Sequence, residues 1–163
     1  MIRLQIIIKK LSYATLVSTT DFSVRRAFNI HCIWMHPDRG ALKYTAVGLE
    51  YVPFAEARPV NGVLVEITDT KMEEIIKREK GYNYVTLPIL YFVCQTPICS
   101  EELVSVFIPE GPQYPTEEYP VRQEYVDICI SGFSKCSDAY ATLFIETTFW
   151  GSNIDVVAAL DTE

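Results

Sequence analysis

The sequence predicts an α+β fold. Eight short strand-like runs occupy the first two thirds of the chain, one amphipathic helical run interrupts them, and two more helical runs close it. The strand runs are β-branched or aromatic and are cut by turn residues, a spacing that argues for a mostly antiparallel sheet or barrel.

Residues 1–10 hold Arg3 and the apolar run Leu4-Gln5-Ile6-Ile7-Ile8. That run is too short to cross a membrane and has no small-residue cleavage site, so it reads as a first strand of a soluble, cytoplasmic protein. Further strands are expected at residues 13–17, 28–35, 44–51, 62–67, 82–87, 90–94 and 104–108. Pro37-Asp38-Arg39-Gly40 and Pro59-Val60-Asn61-Gly62 read as turns between them. Over residues 69–79 the apolar positions Met72, Ile75 and Ile76 follow helical spacing, with Thr68 or Asp69 as cap and Gly81 as stop. Residues 109–120 contain four prolines and one glycine and form a connector within one domain. Two helices are then expected over residues 121–133 and 137–147, with Gly132 ending the first.

With 163 residues the chain is read as a single domain, and its 49% apolar and 21% charged composition fits a packed core. A formal charge of −7 without a basic stripe argues against nucleic acid or an anionic membrane as partner. The five cysteines, Cys32, Cys94, Cys99, Cys129 and Cys136, show no CxxC spacing, and only His31 and His36 accompany them. They read as reduced thiols, mainly packing the core, rather than a disulfide framework or a zinc site.

Chemistry is sought first in Lys77-Arg78-Glu79-Lys80-Gly81-Tyr82. Glu79 stands one turn beyond Ile75, beside the apolar stripe rather than opposite it, where a carboxylate is partly desolvated and able to exchange protons. The ordinary alternative is a solvated ion pair with Arg78 or Lys80. A serine or cysteine nucleophile with His31 or His36 lacks any local frame such as a Gly-x-Ser-x-Gly elbow. Arg25, Arg26 and Arg39 are candidates to receive a carboxylate or phosphate, but adjacent arginines on a strand point to opposite faces and are expected mainly at the surface.

Several segments, in order, resemble the γ-glutamylcyclotransferase-like family: Arg25-Arg26-Ala27-Phe28-Asn29, Asn61-Gly62-Val63-Leu64-Val65-Glu66-Ile67, Arg78-Glu79-Lys80-Gly81-Tyr82, Tyr114-Pro115-Thr116-Glu117-Glu118-Tyr119-Pro120 and Tyr125-Val126-Asp127-Ile128-Cys129-Ile130-Ser131-Gly132. The resemblance spans residues 22–148 and implies a small mixed barrel that closes a γ-glutamyl group into 5-oxoproline and expels the attached amine. It implies Glu79 as general base and acid, Tyr82 and Tyr125 as substrate-binding residues, a small γ-glutamyl compound as partner, and no cofactor. The chain also departs from the family pattern. No Tyr-Gly-Ser substrate loop is found in residues 1–20, and Lys77 stands where the family commonly has aspartate. A catalytically inactive binding module is therefore the alternative reading, and a chain lacking its first strand and substrate loop, with an open sheet edge, is a third.

Overall fold

The computed structural model describes residues 11–94 and 103–151; the strand expected at residues 1–10 and Cys99 lie outside them. In chain order the elements are β1 (Leu11–Leu16), β2 (Val24–His36), β3 (Gly40–Tyr51), β4 (Val60–Val65), α1 (Asp69–Arg78), β5 (Tyr82–Pro88), β6 (Phe92–Cys94), β7 (Leu103–Pro109), α2 (Gln123–Ser134), α3 (Asp138–Thr147) and β8 (Thr148–Phe149). The class is α+β, as the pattern predicts. The strands make three sheets, β4-β1-β6, β3-β2-β8 and the pair β5-β7, and among the described residues these do not close into a barrel. Every pairing is antiparallel except β2 with β8, where Arg26 and Ala27 lie parallel to Thr148 and Phe149. No helix of the described residues is long and apolar enough to cross a membrane.

The β2–β3 hairpin organises the molecule. Its turn forms where the Pro-Asp-Arg-Gly string predicts: His36 Nδ1 accepts the N–H groups of Asp38 at 3.0 Å and Arg39 at 3.2 Å, and Gly40 takes a φ of +72° that a side chain would resist. The ladder is regular from Val24 to Phe28 and again from Ile30 to His36, with a bulge between. Asn29 is the extra residue. Gly48, across the ladder, leaves it room, because a Cβ there would come within 2.5 Å of Asn29 Oδ1.

Two cores flank this hairpin. Leu16, Phe22, Val24, Leu87 and Ile108 bury together and tie β1, β2, β5 and β7, while Phe28, Val121 and Val126 join β2 to α2. Burying side chains of this size stabilises by about 1.5–3 kcal/mol each, which fixes α2 over the hairpin.

Three expectations are corrected. Gly132 does not end its helix: α2 runs on to Ser134, because nothing crowds the glycine and Ser137, whose side chain accepts the N–H of Tyr140, starts α3 only afterwards. Val60-Asn61-Gly62 is strand rather than turn, paired with Leu16, Thr15 and Ala14. Arg26 is a core residue, not a surface one. Its guanidinium donates to Asn61 Oδ1 at 3.1 Å and to the Asn61 carbonyl, and it lies over the rings of Phe133 and Phe144.

Candidate functional site

Helix α1 presents the candidate carboxylate. Thr68 caps its start, the hydroxyl accepting the Lys71 N–H at 3.2 Å, and Lys77 and Arg78 occupy its last turn, where cations suit the helix dipole. Glu79 is the C-terminal cap, its N–H donating to the Ile75 carbonyl at 2.9 Å. Gly81 then turns the chain with φ +87° and delivers Tyr82 as the first residue of β5.

The Glu79 side chain is 29% exposed, and its Oε1 accepts from Arg78 Nε at 3.2 Å and Nη2 at 3.1 Å. The ion pair offered by the sequence as the ordinary alternative is thus present. Tyr82 adjoins it. Burial pushes the Tyr82 phenol above its usual range, and the neighbouring Cys32 thiol and Glu79 carboxylate push in the same direction.

Tyr125 approaches from the opposite element. On the first turn of α2 its ring meets Phe28 edge-on and tilts against Tyr44, with centroids 6.3 Å and 5.3 Å apart. Its hydroxyl accepts the Val47 N–H at 3.1 Å, beside the Asn29 bulge where the ladder is interrupted. Burial, then the Cys129 thiol one helical turn on, raises the phenol well above its ordinary value. This hydroxyl therefore completes the hairpin backbone as well as facing the interior.

The three predicted residues are linked rather than gathered at one point. The charges of Glu79 and Cys32 both act on the Tyr82 phenol, Cys32 is paired across the ladder with Tyr44, and Tyr44 rests on Tyr125. Tyr44, Cys32 and Cys129 were not singled out by the sequence as members of such a group. Periodicity assigns each to its own element and cannot show that a bulged hairpin and α2 bring them together. Burial pushes the thiols of Cys32 and Cys129 upward, so both favour the protonated form. A shallow depression of about 370 Å³, lined by Thr20, Asp21, Ser23, Tyr51, Val52, Pro53 and Phe54, touches none of the predicted site residues.

A nucleophile–histidine pair finds no geometric support. His31 Nε2 donates to the Tyr114 carbonyl at 2.8 Å while its ring stacks on Tyr119, and His36 is occupied in the hairpin turn. Among the described residues no three His, Cys, Asp or Glu side chains converge as metal ligands.

Comparison of the chain with protein-family models, with curated proteins and with solved structures finds no match.

A second carboxylate, passed over in the sequence, is the more deeply enclosed. Glu50 is 4% exposed; Arg25 Nε donates to its Oε1 at 2.7 Å, and the Tyr114 hydroxyl donates to its Oε2. Arg25 is itself stacked 3.8 Å above the Phe149 ring. Both oxygens of Glu50 are engaged, so this group ties the proline-rich connector and β8 to the hairpin. One signal was available: an Arg and a Glu at paired positions of a long hairpin are cross-strand partners.

Proposed function

We propose that the chain is a γ-glutamylcyclotransferase-like enzyme that converts a γ-glutamyl amine or peptide into 5-oxoproline and the free amine. The observation that carries the reading is the placement of Glu79 at the end of α1 next to Tyr82, one oxygen bound by Arg78 and the other without a hydrogen-bond partner among the described residues. The resemblance of the ordered segments supplies the reaction. The proposal includes the small barrel of that family and a cytoplasmic setting.

In this scheme the Glu79 carboxylate removes a proton from the substrate α-ammonium. The freed nitrogen attacks the γ-carbonyl carbon and a C–N bond forms; the tetrahedral intermediate collapses as the bond to the leaving amine breaks, Glu79 returns its proton to that amine, and the second proton lost by the ring nitrogen is taken up by the released amine, which leaves as an ammonium. Tyr82 and Tyr125 hold the glutamyl chain bent, since ring closure depends on orientation. No redox change or cofactor is involved.

The test is incubation of the purified protein with a panel of γ-glutamyl peptides and amines while 5-oxoproline is measured, beside Glu79→Gln. The unaltered chain is expected to form product, and the variant to lose about 10²- to 10⁴-fold in rate, the usual worth of a positioned acid–base group. No product from any substrate would exclude the enzyme reading, and equal turnover by the variant would remove Glu79 from the mechanism. A second reading, a catalytically inactive binding module, is favoured by one particular arrangement: Arg78 neutralises Glu79 while Tyr125 is engaged by the Val47 backbone. It predicts saturable binding of a γ-glutamyl compound without turnover.

A further inference from the structure

The β2–β3 hairpin is covered at one end only. From Val24 to Asn29 its first strand is almost entirely buried, whereas Ile33, Trp34 and Met35 are 57%, 38% and 70% exposed. Successive strand residues point to opposite faces, so an exposed triplet means that both faces of the hairpin are bare there. Its outer edge is bare as well. β8 pairs only with Arg26 and Ala27, and the Gln113 N–H donates to the Asn29 carbonyl at 2.8 Å; beyond Asn29 no described strand pairs with this side of β2.

Proteins commonly protect such an edge with lysine, proline, a charge turned inward or a very short strand. Residues 29–36 read Asn-Ile-His-Cys-Ile-Trp-Met-His and contain none of these side chains. The only irregularity, the bulge, falls at the buried end.

We infer that the open edge of β2 is a self-association surface, pairing antiparallel with the same edge of a second copy to give a continuous sheet across a two-fold axis near Ile33. In that register Ile33 meets its own counterpart, Cys32 meets Trp34 and His31 meets Met35, so every facing pair is apolar or aromatic or joins an apolar side chain to an imidazole. Charge selects this occupant. The chain carries a formal charge of −7, and this stretch, with no Asp, Glu, Lys or Arg, lets two copies meet without opposing like charges. The unpaired backbone supplies the hydrogen bonds and the exposed triplet supplies the apolar area, the two components of strand addition.

Sedimentation and light scattering over a concentration series test the inference on the full chain. A reversible species of twice the 18.6 kDa chain mass is expected. Ile33→Lys and Ile33→Glu, at a position open to solvent in the single chain, are each expected to be monomeric where the unaltered chain is dimeric, with unchanged far-ultraviolet circular dichroism. An equimolar mixture of the two is expected to regain the double mass, because lysine then faces glutamate. Hydrogen exchange needs no variant: amides of residues 30–36 gain protection as concentration rises. A chain that stays monomeric, variants that dimerise like the unaltered chain, a mixture that stays monomeric, or protection independent of concentration would each overturn the assignment.

Discussion

Glu50 and Glu79 are both carboxylates bound by an arginine, and they do opposite work. Glu50 meets Arg25 across the hairpin and Tyr114 from the connector, so three segments far apart in sequence converge on a buried group with no oxygen to spare. Glu79 is bound by the residue before it in the chain, remains partly exposed, and has one oxygen outside the ion pair. The comparison separates two meanings of an enclosed acid. A carboxylate whose oxygens are both satisfied holds structure together; one that is half satisfied and beside a phenol is suited to moving a proton.

The largest effect should come from removing Glu50. Glu50→Ala leaves Arg25 and the Tyr114 hydroxyl without their common partner and is expected to cost about 3 kcal/mol, the scale of breaking a buried pair by deleting one member. Urea unfolding measures it, and a loss below about 1 kcal/mol would place Glu50 with ordinary surface pairs. Alkali probes the other side of the comparison. Tyr82, Tyr44 and Tyr125 all titrate higher in the folded chain than the ordinary phenol value, chiefly through burial. The unfolded chain therefore loses these protons first, so the stability is present below about pH 10 and is lost as pH rises through the folded values. Arg26, lowered to about 10 by burial, and Tyr84, lowered by its hydrogen bond with Ser105, act in the reverse direction, but Tyr114 and Tyr140 are raised by burial as well and the raised phenols outnumber the opposing groups. Urea midpoints are expected to fall from about pH 8 to pH 11, and Tyr125→Phe to flatten the fall by up to about 1.4 kcal/mol per pH unit, the contribution of one proton. The smallest effect is that of Glu79→Gln on stability, within about 1 kcal/mol, as for a partly exposed pair. A larger loss would move Glu79 into the same structural class as Glu50.

Local patterning made much of this fold legible. β-branched and aromatic runs cut by turn residues located most of the strands, the Pro-Asp-Arg-Gly string marked the hairpin turn, and Met72, Ile75 and Ile76 with Gly81 fixed both the face and the end of α1. What escaped depends on partners distant in sequence. Arg26 reads as surface until the rings of Phe133 and Phe144, brought by α2 and α3, enclose it. Gly132 reads as a stop because its low helix propensity is visible locally, yet it lies exposed within α2, which runs on to Ser134 before Ser137 caps α3. The candidate site divides the same way: Glu79 and Tyr82 are joined by three residues of chain, but their connection to Tyr125 runs through Tyr44 and Cys32 on a hairpin with an insertion in one strand.

That insertion, Asn29, sets the phase of everything beyond it. Ala27 pairs with Gly48 and Ile30 with Ala46, so odd positions before the bulge and even positions after it share one side of the hairpin. Arg25 and Cys32 stand on the same side for this reason alone. Deleting Asn29 alone would remove the bulge and leave Ile30 opposite Ala46 and Cys32 opposite Tyr44, because the extra residue has no partner across the ladder. Deleting Ile30 as well, with no bulge to absorb the change, would exchange the two sides of the distal hairpin and take Cys32 off the side of Tyr44.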